Sequence, residues 1–183
     1  MKRYGSILIG TMLKTSRLTV SPIKKNDLSF FRNLRNDQDT AFFLTQMSPI
    51  NEYMQEEWFE GLALDTTKMY FTITADDKNV GIIRCDEWDK INQSIRVGID
   101  IVPEYRRNGY AREVYDMFIP YLFQNLHIHR IWLLVAEYNA TAITLYKKIG
   151  FGKEGAQRDA IFRDGKYHDY LMMSLLSTQY EKK

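Results

Sequence analysis

Between residues 94 and 111 the chain reads SIRVGIDIVPEYRRNGYA, and no other stretch constrains the fold as tightly. Ile95, Val97, Ile99 and Ile101 alternate with Ser94, Arg96, Gly98 and Asp100, the two-residue period of a strand with one apolar face. Pro103 ends that pattern. From Gly109 the apolar positions change to helical spacing, with Ala111, Val114, Phe118 and Tyr121 or Leu122 on one stripe. A strand therefore hands over to a helix through two arginines, an asparagine and a glycine. Free amides at a helix N-terminus converge where the helix dipole is positive, which suits an anion. Gly109 permits close approach and an unusual φ, Ala111 keeps the next turn clear, and Arg106 and Arg107 can add charge. A solvated, arginine-bearing loop before an ordinary helix is the competing reading of these residues alone.

The flanking segments place this junction inside a mixed α/β chain. RLTVSPI (17–23) predicts a strand, and KKNDLSFFRNLRND a helix carrying Leu28, Phe31, Leu34 and Arg35 behind a cap at Asn26. NEYMQEEWFEGLAL predicts a second helix over about 51–64, with Met54, Trp58 and Leu62 aligned. A meander of three strands follows: MYFTITA, NVGIIRCDEW and the alternating run, joined by the turns DDKN and DKIN. Pro120 should kink the next helix or loosen a turn of it. HRIWLLVA reads as a strand buried on both faces, and NATAITLYKKIG as a helix stopped by Gly150. The chain closes as a hairpin turning at Asp164-Gly165, a pair suited to two positive φ angles.

With 183 residues and 45% hydrophobic content, the chain is long enough for one substantial core, so 12–183 is expected to form a single domain after a loosely held extension at 1–11. That extension, with Lys2 and Arg3 before a short apolar run, is broken by glycines and lacks a cleavage site, unlike a secretory signal. A formal charge of +2, mixed along the sequence, gives no electrostatic case for nucleic acid or for an anionic membrane surface. The lone cysteine, Cys85, excludes an internal disulfide and a thiolate zinc cluster and fits a cytoplasmic location. His127 and His129, with only His168 elsewhere, read as surface or edge packing, so no metal is expected.

A second motif supports the anion reading. Asn139 and Tyr146 lie seven residues apart, close to two helical turns, so the amide at the helix entrance and the phenol share a face. A tyrosine snorkelling from the core is the alternative for Tyr146. Together the two segments resemble the GNAT superfamily of acyl-CoA-dependent N-acetyltransferases, through Arg106, Gly109 and Ala111 in one motif and Asn139, Ala142, Leu145, Tyr146, Gly150 and Phe151 in the other. The resemblance runs from about Arg17 to the C-terminus, and EGAQRDAIFRDGKYHDYLMMSLL is similar to the RimJ/RimL branch and its polyamine-acetylating relatives.

The resemblance implies a GNAT fold: a central mixed, mostly antiparallel seven-stranded sheet, flanked by helices and splayed between the strand ending at Ile101-Val102 and RIWLLVA. Acetyl-CoA as co-substrate would lie in that splay. The backbone of Ile101 and Val102 would bond the pantetheine arm and polarise the thioester carbonyl. The amides of Arg106, Arg107, Asn108, Gly109, Tyr110 and Ala111 would cradle the pyrophosphate, and Asn139 would contact the arm. Tyr146 would hydrogen-bond the departing thiolate. Where some relatives carry a glutamate on the fifth strand this chain has Leu134, which leaves the general base open among Asp86, Glu87 and Asp100 acting through water.

Phe42 and Phe43 are expected near the acceptor entrance, and His168 near the acceptor or in a structural contact. The acceptor is expected to be a small-molecule or peptide amine: a protein N-terminus, a polyamine or an amino-sugar nucleotide; NLRNDQDTAFF and EEWFEGL resemble enzymes acting on the last, and the sequence does not choose among the three. With no cysteine placed for a covalent intermediate, direct attack in a ternary complex is expected, by an enzyme that pairs as a homodimer in keeping with its relatives. A non-catalytic acyl-CoA-binding module with the same fold is the alternative; Leu134 favours it and Tyr146 argues against it.

Overall fold

The computed structural model describes residues 12–44 and 48–180, so the extension over 1–11 and part of the link around TQMSPI lie outside the described residues. Its strands are β1 (Leu13–Lys14), β2 (Thr19–Pro22), β3 (Met69–Ala75), β4 (Lys78–Asp89), β5 (Ser94–Ile101), β6 (Arg130–Ala136), β7 (Gly152–Arg163) and β8 (Lys166–Leu176). Its helices are α1 (Leu28–Asn36), α2 (Gln38–Ala41), α3 (Glu52–Leu64), α4 (Tyr110–Pro120), α5 (Ala140–Ile149) and α6 (Ser177–Tyr180).

All eight strands join one sheet in the order β1-β2-β3-β4-β5-β6-β8-β7. The count exceeds the expected seven because the two-residue β1 pairs with β2 at the edge. Every neighbouring pair is antiparallel except β5 with β6. Those two are bridged only at Ser94 with Arg130, Ile95 with Ile131, and Arg96 with Trp132. Beyond that point β5 stays in register with β4 as far as Ile101 opposite Gly81, while β6 follows β8 as far as Ala136 opposite Tyr170. Each half of the sheet keeps its own antiparallel partner, and a gap opens between the halves.

The core lies on one face of this sheet. Ile83, Cys85, Ile95, Val97, Ile131, Leu133 and Val135 pack against Val114, Tyr115, Phe118 and Leu122, and against Tyr146 and Ile149 of α5. Full burial of each large aliphatic side chain contributes roughly 1.5–3 kcal/mol before the entropy of ordering it. The opposite face of the first half-sheet is covered by α1 and α3, where Phe31, Leu34 and Ile82 are buried beside Trp58 and Tyr70.

Local chemistry explains most element ends. Asn51 caps α3 by accepting the Met54 amide at 2.9 Å, as expected. Asn26 does not cap α1. It lies inside a 3₁₀ turn, and Asp27 instead accepts the Lys24 amide at 3.0 Å and the Thr72 hydroxyl at 2.9 Å, because a carboxylate one residue further on reaches β3. The inward stripe of α3 also differs from expectation: Gln55 is 6% exposed whereas Met54 is 42% exposed, since Trp58 turns that side toward Phe31 and Tyr70. Pro120 ends α4, and the chain continues as a π turn over Tyr121–Asn125 closed by the Leu126 amide on the Tyr121 carbonyl at 3.3 Å. The hairpin turns as expected on Asp164 (φ +51°) and Gly165 (φ +77°). HRIWLLVA is fully covered on one face only, because Trp132 and Leu134 on the other face are half-buried.

Candidate active site

The end of β5 is the first component. The Val102 amide donates to the Val80 carbonyl at 3.0 Å, and the Val102 carbonyl accepts from Tyr105 at 2.9 Å, so both backbone groups of Val102 are engaged. Antiparallel ladders turn alternate residues toward opposite edges, so Ile101 directs its own groups into the gap. Its carbonyl accepts the Arg106 Nε at 3.0 Å, which leaves the Ile101 N–H as the donor facing open space. Of the pair singled out in the sequence, the geometry presents Ile101 and not Val102.

The loop that follows is held from within. Arg106 turns inward: besides Ile101 it reaches the Thr40 hydroxyl at 2.9 Å, and its amide bonds the Pro103 carbonyl at 3.2 Å. Arg107 (φ +65°) and Gly109 (φ +80°) both take left-handed backbone, and Arg107 is exposed with its guanidinium unbonded among the described residues. Such a φ is uncommon for a residue with a side chain, and it turns the loop sharply into α4. Asn108 Nδ2 donates to the Tyr105 carbonyl at 3.2 Å. The first bond of α4 runs from the Glu113 amide to the Gly109 carbonyl at 3.0 Å, so the amides of Tyr110, Ala111 and Arg112 have no carbonyl one turn back.

Glu113 in the first turn would repel an anion, but it accepts from Thr15 and from Arg17 Nε, the latter at 2.9 Å. Arg17 also reaches the Asn108 carbonyl at 3.3 Å and lies 5.2 Å from the Tyr110 ring centroid. The β1–β2 connection thereby neutralises that carboxylate and braces the helix start.

On the far side of the gap, Asn139 caps α5, its side-chain oxygen accepting the Ala142 amide at 3.1 Å, while its Nδ2 has no partner among the described residues. Tyr146, 7% exposed, meets the rings of Tyr115 and Phe151 edge-on at 5.9 and 5.8 Å. Burial is the main cause that raises its pKa, with the Tyr115 hydroxyl acting the other way. Tyr146 therefore keeps its proton and can donate it in a hydrogen bond. The Tyr115 hydroxyl beside it is itself buried without a partner of hydrogen-bonding geometry. The Cys85 thiol is fully buried, and burial pushes its pKa up, so it offers no thiolate to carry an acyl group.

The three carboxylates considered as bases fall on the face under α1 and α3. Arg84 pairs with Asp100 and lies 3.7 Å from Asp86, Tyr70 donates to Asp86 at 2.7 Å, and Arg96 stands 3.6 Å from Asp86 and 2.9 Å from Glu87. Each acid is engaged by a cation, so none is a free base. Gly98 makes the network possible: a Cβ there would sit 2.7 Å from the Arg84 guanidinium carbon. Asp86 lies opposite Arg96, and Arg84 lies opposite Gly98 between Arg96 and Asp100, so the strand alternation alone puts these four charges on one face.

Phe42 and Phe43 stand beside Tyr138, just past the end of β6, both within 6 Å of its ring. His168 meets the Tyr138 ring edge-on at 4.8 Å and contacts Glu137 at 3.2 Å. A buried arginine holds this wall. Arg163 donates to the carbonyls of Phe42 at 3.0 Å, Ala41 at 3.4 Å and Leu44, while Tyr138 and Tyr170 donate to Phe42 and Phe43 at 2.7 and 3.2 Å. No local sequence pattern reveals Arg163, because its partners are about 120 residues away. His129 contacts Ser177 at 3.1 Å, and among the described residues no three metal-ligating side chains stand together.

A sheet opened between two parallel strands, with helix amides on one side and a buried phenol on the other, defines an acyl-coenzyme A transferase scaffold. The chain belongs to the acetyltransferase (GNAT) family, whose domain description matches residues 17–152. It is 30% identical over 167 residues to spermidine N(1)-acetyltransferase of Vibrio cholerae, covering 90% of this chain and 96% of that one. To spermidine N(1)-acetyltransferase of Escherichia coli K12 it is 24% identical over 160 residues, covering 87% and 86%. The crystal structure of the Vibrio cholerae spermidine N-acetyltransferase in complex with CoA and spermine superposes with a TM-score of 0.85 at 30% identity, covering 91% of this chain and 99% of that one.

Proposed function

We propose that this acetyl-CoA-dependent N-acetyltransferase uses residues 107–111 to bind the diphosphate and the Ile101 amide to polarise the thioester carbonyl. The loop shape set by Arg106 and the exposed charge of Arg107 support the first role. The neutral amine nitrogen attacks the carbonyl carbon, the C–N bond forms, the C–S bond breaks, and the proton that the nitrogen sheds passes through water to solvent or to the departing sulfur. Negative charge moves first to the carbonyl oxygen, toward the Ile101 N–H, and then to sulfur, where Tyr146 donates a hydrogen bond. An unperturbed thiol near about 8.5 is a stronger acid than a phenol near about 10, and burial raises Tyr146 further, so hydrogen bonding to the thiolate is its role. The observation that carries this reading is the convergence on one gap of the Ile101 amide, the open turn of α4 and the Tyr146 helix. The fit is one of donors without acceptors: this end of the gap offers amides that the protein leaves unbonded.

Polyamines lead the acceptor classes because the spermidine acetyltransferases span nearly the whole chain. Placement in the RimJ/RimL-like branch rests on the closing hairpin, EGAQRDAIFRDGKYHDYLMMSLL. One catalytic domain over 12–183, cytoplasmic residence and self-association at least to a homodimer complete the reading. The test is release of CoA by the purified chain with acetyl-CoA and spermidine, a peptide N-terminus or an amino-sugar nucleotide. Sustained release that depends on one amine supports catalysis. Binding of acetyl-CoA without release by any of them would leave a non-catalytic module.

A further inference from the structure

Between α1, α3 and the face of β3–β4 lies a cleft of about 180 Å³. Phe31, Trp58, Tyr70 and Ile82 give it apolar and aromatic walls, and Arg35 and Gln55 are its polar side chains. Trp58 meets Tyr70 edge-on at 4.9 Å and Phe31 at 6.2 Å, which fixes two of the walls.

Arg35 makes no hydrogen bond and has no carboxylate within 4.0 Å among the described residues. The nearest acids are committed elsewhere: Asp100 to Arg84, and Asp86 to Tyr70, Arg84 and Arg96. Burial, and then repulsion from Arg84, lower the pKa of Arg35, while Asp100, Tyr70 and Asp86 act the other way without bonding it. Gln55 is only 6% exposed, lines the same cleft, and its side-chain amide has no hydrogen bond among the described residues. Neither group has an acceptor from the protein among the described residues, and one anionic group seated in the cleft would give both a partner.

We infer that this cleft binds a carboxylate borne on a small apolar or aromatic body, with Arg35 and Gln55 as donors and the body against Phe31, Trp58 and Tyr70. A single planar guanidinium matches a carboxylate through two parallel N–H bonds, whereas a phosphate would call for further cations that this cleft lacks. A polyamine is repelled here by Arg35, so the cleft holds either the carboxylate of an amine acceptor or a separate carboxylic acid. The inference does not depend on the coenzyme site at α4.

Titration calorimetry on the full chain with 3-phenylpropionate, 3-phenylpropylamine and inorganic phosphate tests it. The carboxylate should bind and the other two should give no saturable heat. Arg35→Gln should weaken that binding at least tenfold and Gln55→Leu several-fold, with CoA binding unchanged in both. Arg35→Lys, which keeps the charge and loses the paired geometry, should fall between parent and Arg35→Gln, and it covers the case in which Arg35→Gln does not fold. Equal binding of the amine or of phosphate, no saturable heat from 3-phenylpropionate, or full-strength binding by Arg35→Lys together with Gln55→Leu, would overturn the inference. In turnover assays, inhibition by 3-phenylpropionate that competes with the amine identifies an acceptor carboxylate, and non-competitive action identifies a separate ligand. Failure of CoA to bind would count against the proposed catalytic site and leave this inference standing.

Discussion

Tyr146 was legible from its spacing to Asn139, whereas its setting was not: a ring enclosed by Tyr115 and Phe151 is a product of tertiary packing. Replacing Tyr146 by Phe keeps that packing and removes only the donor, so kcat should drop by about 10²-fold while the KM for acetyl-CoA hardly moves, as steady-state kinetics would show. An unchanged kcat would remove the phenol from the chemistry. Two glycines report on the sheet in a graded way. A Cβ on Gly81 would meet the Asp100 carbonyl oxygen at 2.5 Å, which is backbone, while one on Gly98 would meet the Arg84 side chain at 2.7 Å. Gly81→Ala should therefore destabilise by about 1–3 kcal/mol or more in urea unfolding, and by more than Gly98→Ala, in which Arg84 can shift at the expense of its pair with Asp100. The reverse ranking would contradict the register of β4 on β5.

Most elements followed from period and punctuation: the alternation of β5, the Asn51 cap, the looser turn after Pro120 and the Asp164-Gly165 hairpin are local effects, and local sequence states them. Short α2 and α6 went unread because four residues carry no period. Asp27 closes the 3₁₀ turn before α1 by accepting the Lys24 amide, and its second bond, from Thr72, is a contact made by the fold. Arg163 shows how an element is held by a distant side chain. Its substitution by Ala would leave the carbonyls of Phe42 and Leu44 short of a donor, so limited proteolysis should cut near 41–50 sooner, and the KM for the amine should rise without a matching change for acetyl-CoA.

Between β6 and β7, Arg130 grips Glu154 with two bonds of 2.5 Å and Ser174 adds one of 2.7 Å, which holds the Glu154 pKa down at about 2 from an ordinary 4.5. A depressed carboxylate pKa stabilises above its unfolded value and loses that contribution as pH falls through the folded one. Melting temperature should thus decline between about pH 4.5 and pH 2 in the parent, and less steeply in Glu154→Gln. Parallel declines would show that this pair adds nothing in solution.

At the scale of the molecule, one physical arrangement ties sequence to activity. Two half-sheets keep separate antiparallel partners, part beyond Arg96 and Trp132, and so present the Ile101 amide and the α4 amides to a single gap. The fold class was readable because the two motifs that flank that gap stand in order in the chain. Arg35 was not readable as an unbonded cation, because the fold sets the pairing among Arg84, Arg96, Asp86, Asp100 and Glu87 that leaves it out.

The decisive measurement is a crystal structure of the full chain soaked with CoA. Diphosphate oxygens should lie at hydrogen-bonding distance, about 3 Å, from amides between residues 107 and 111, with the sulfur between the ends of β5 and β6 on the Tyr146 side. A diphosphate bound away from the start of α4, or a sulfur outside the gap, would contradict the account.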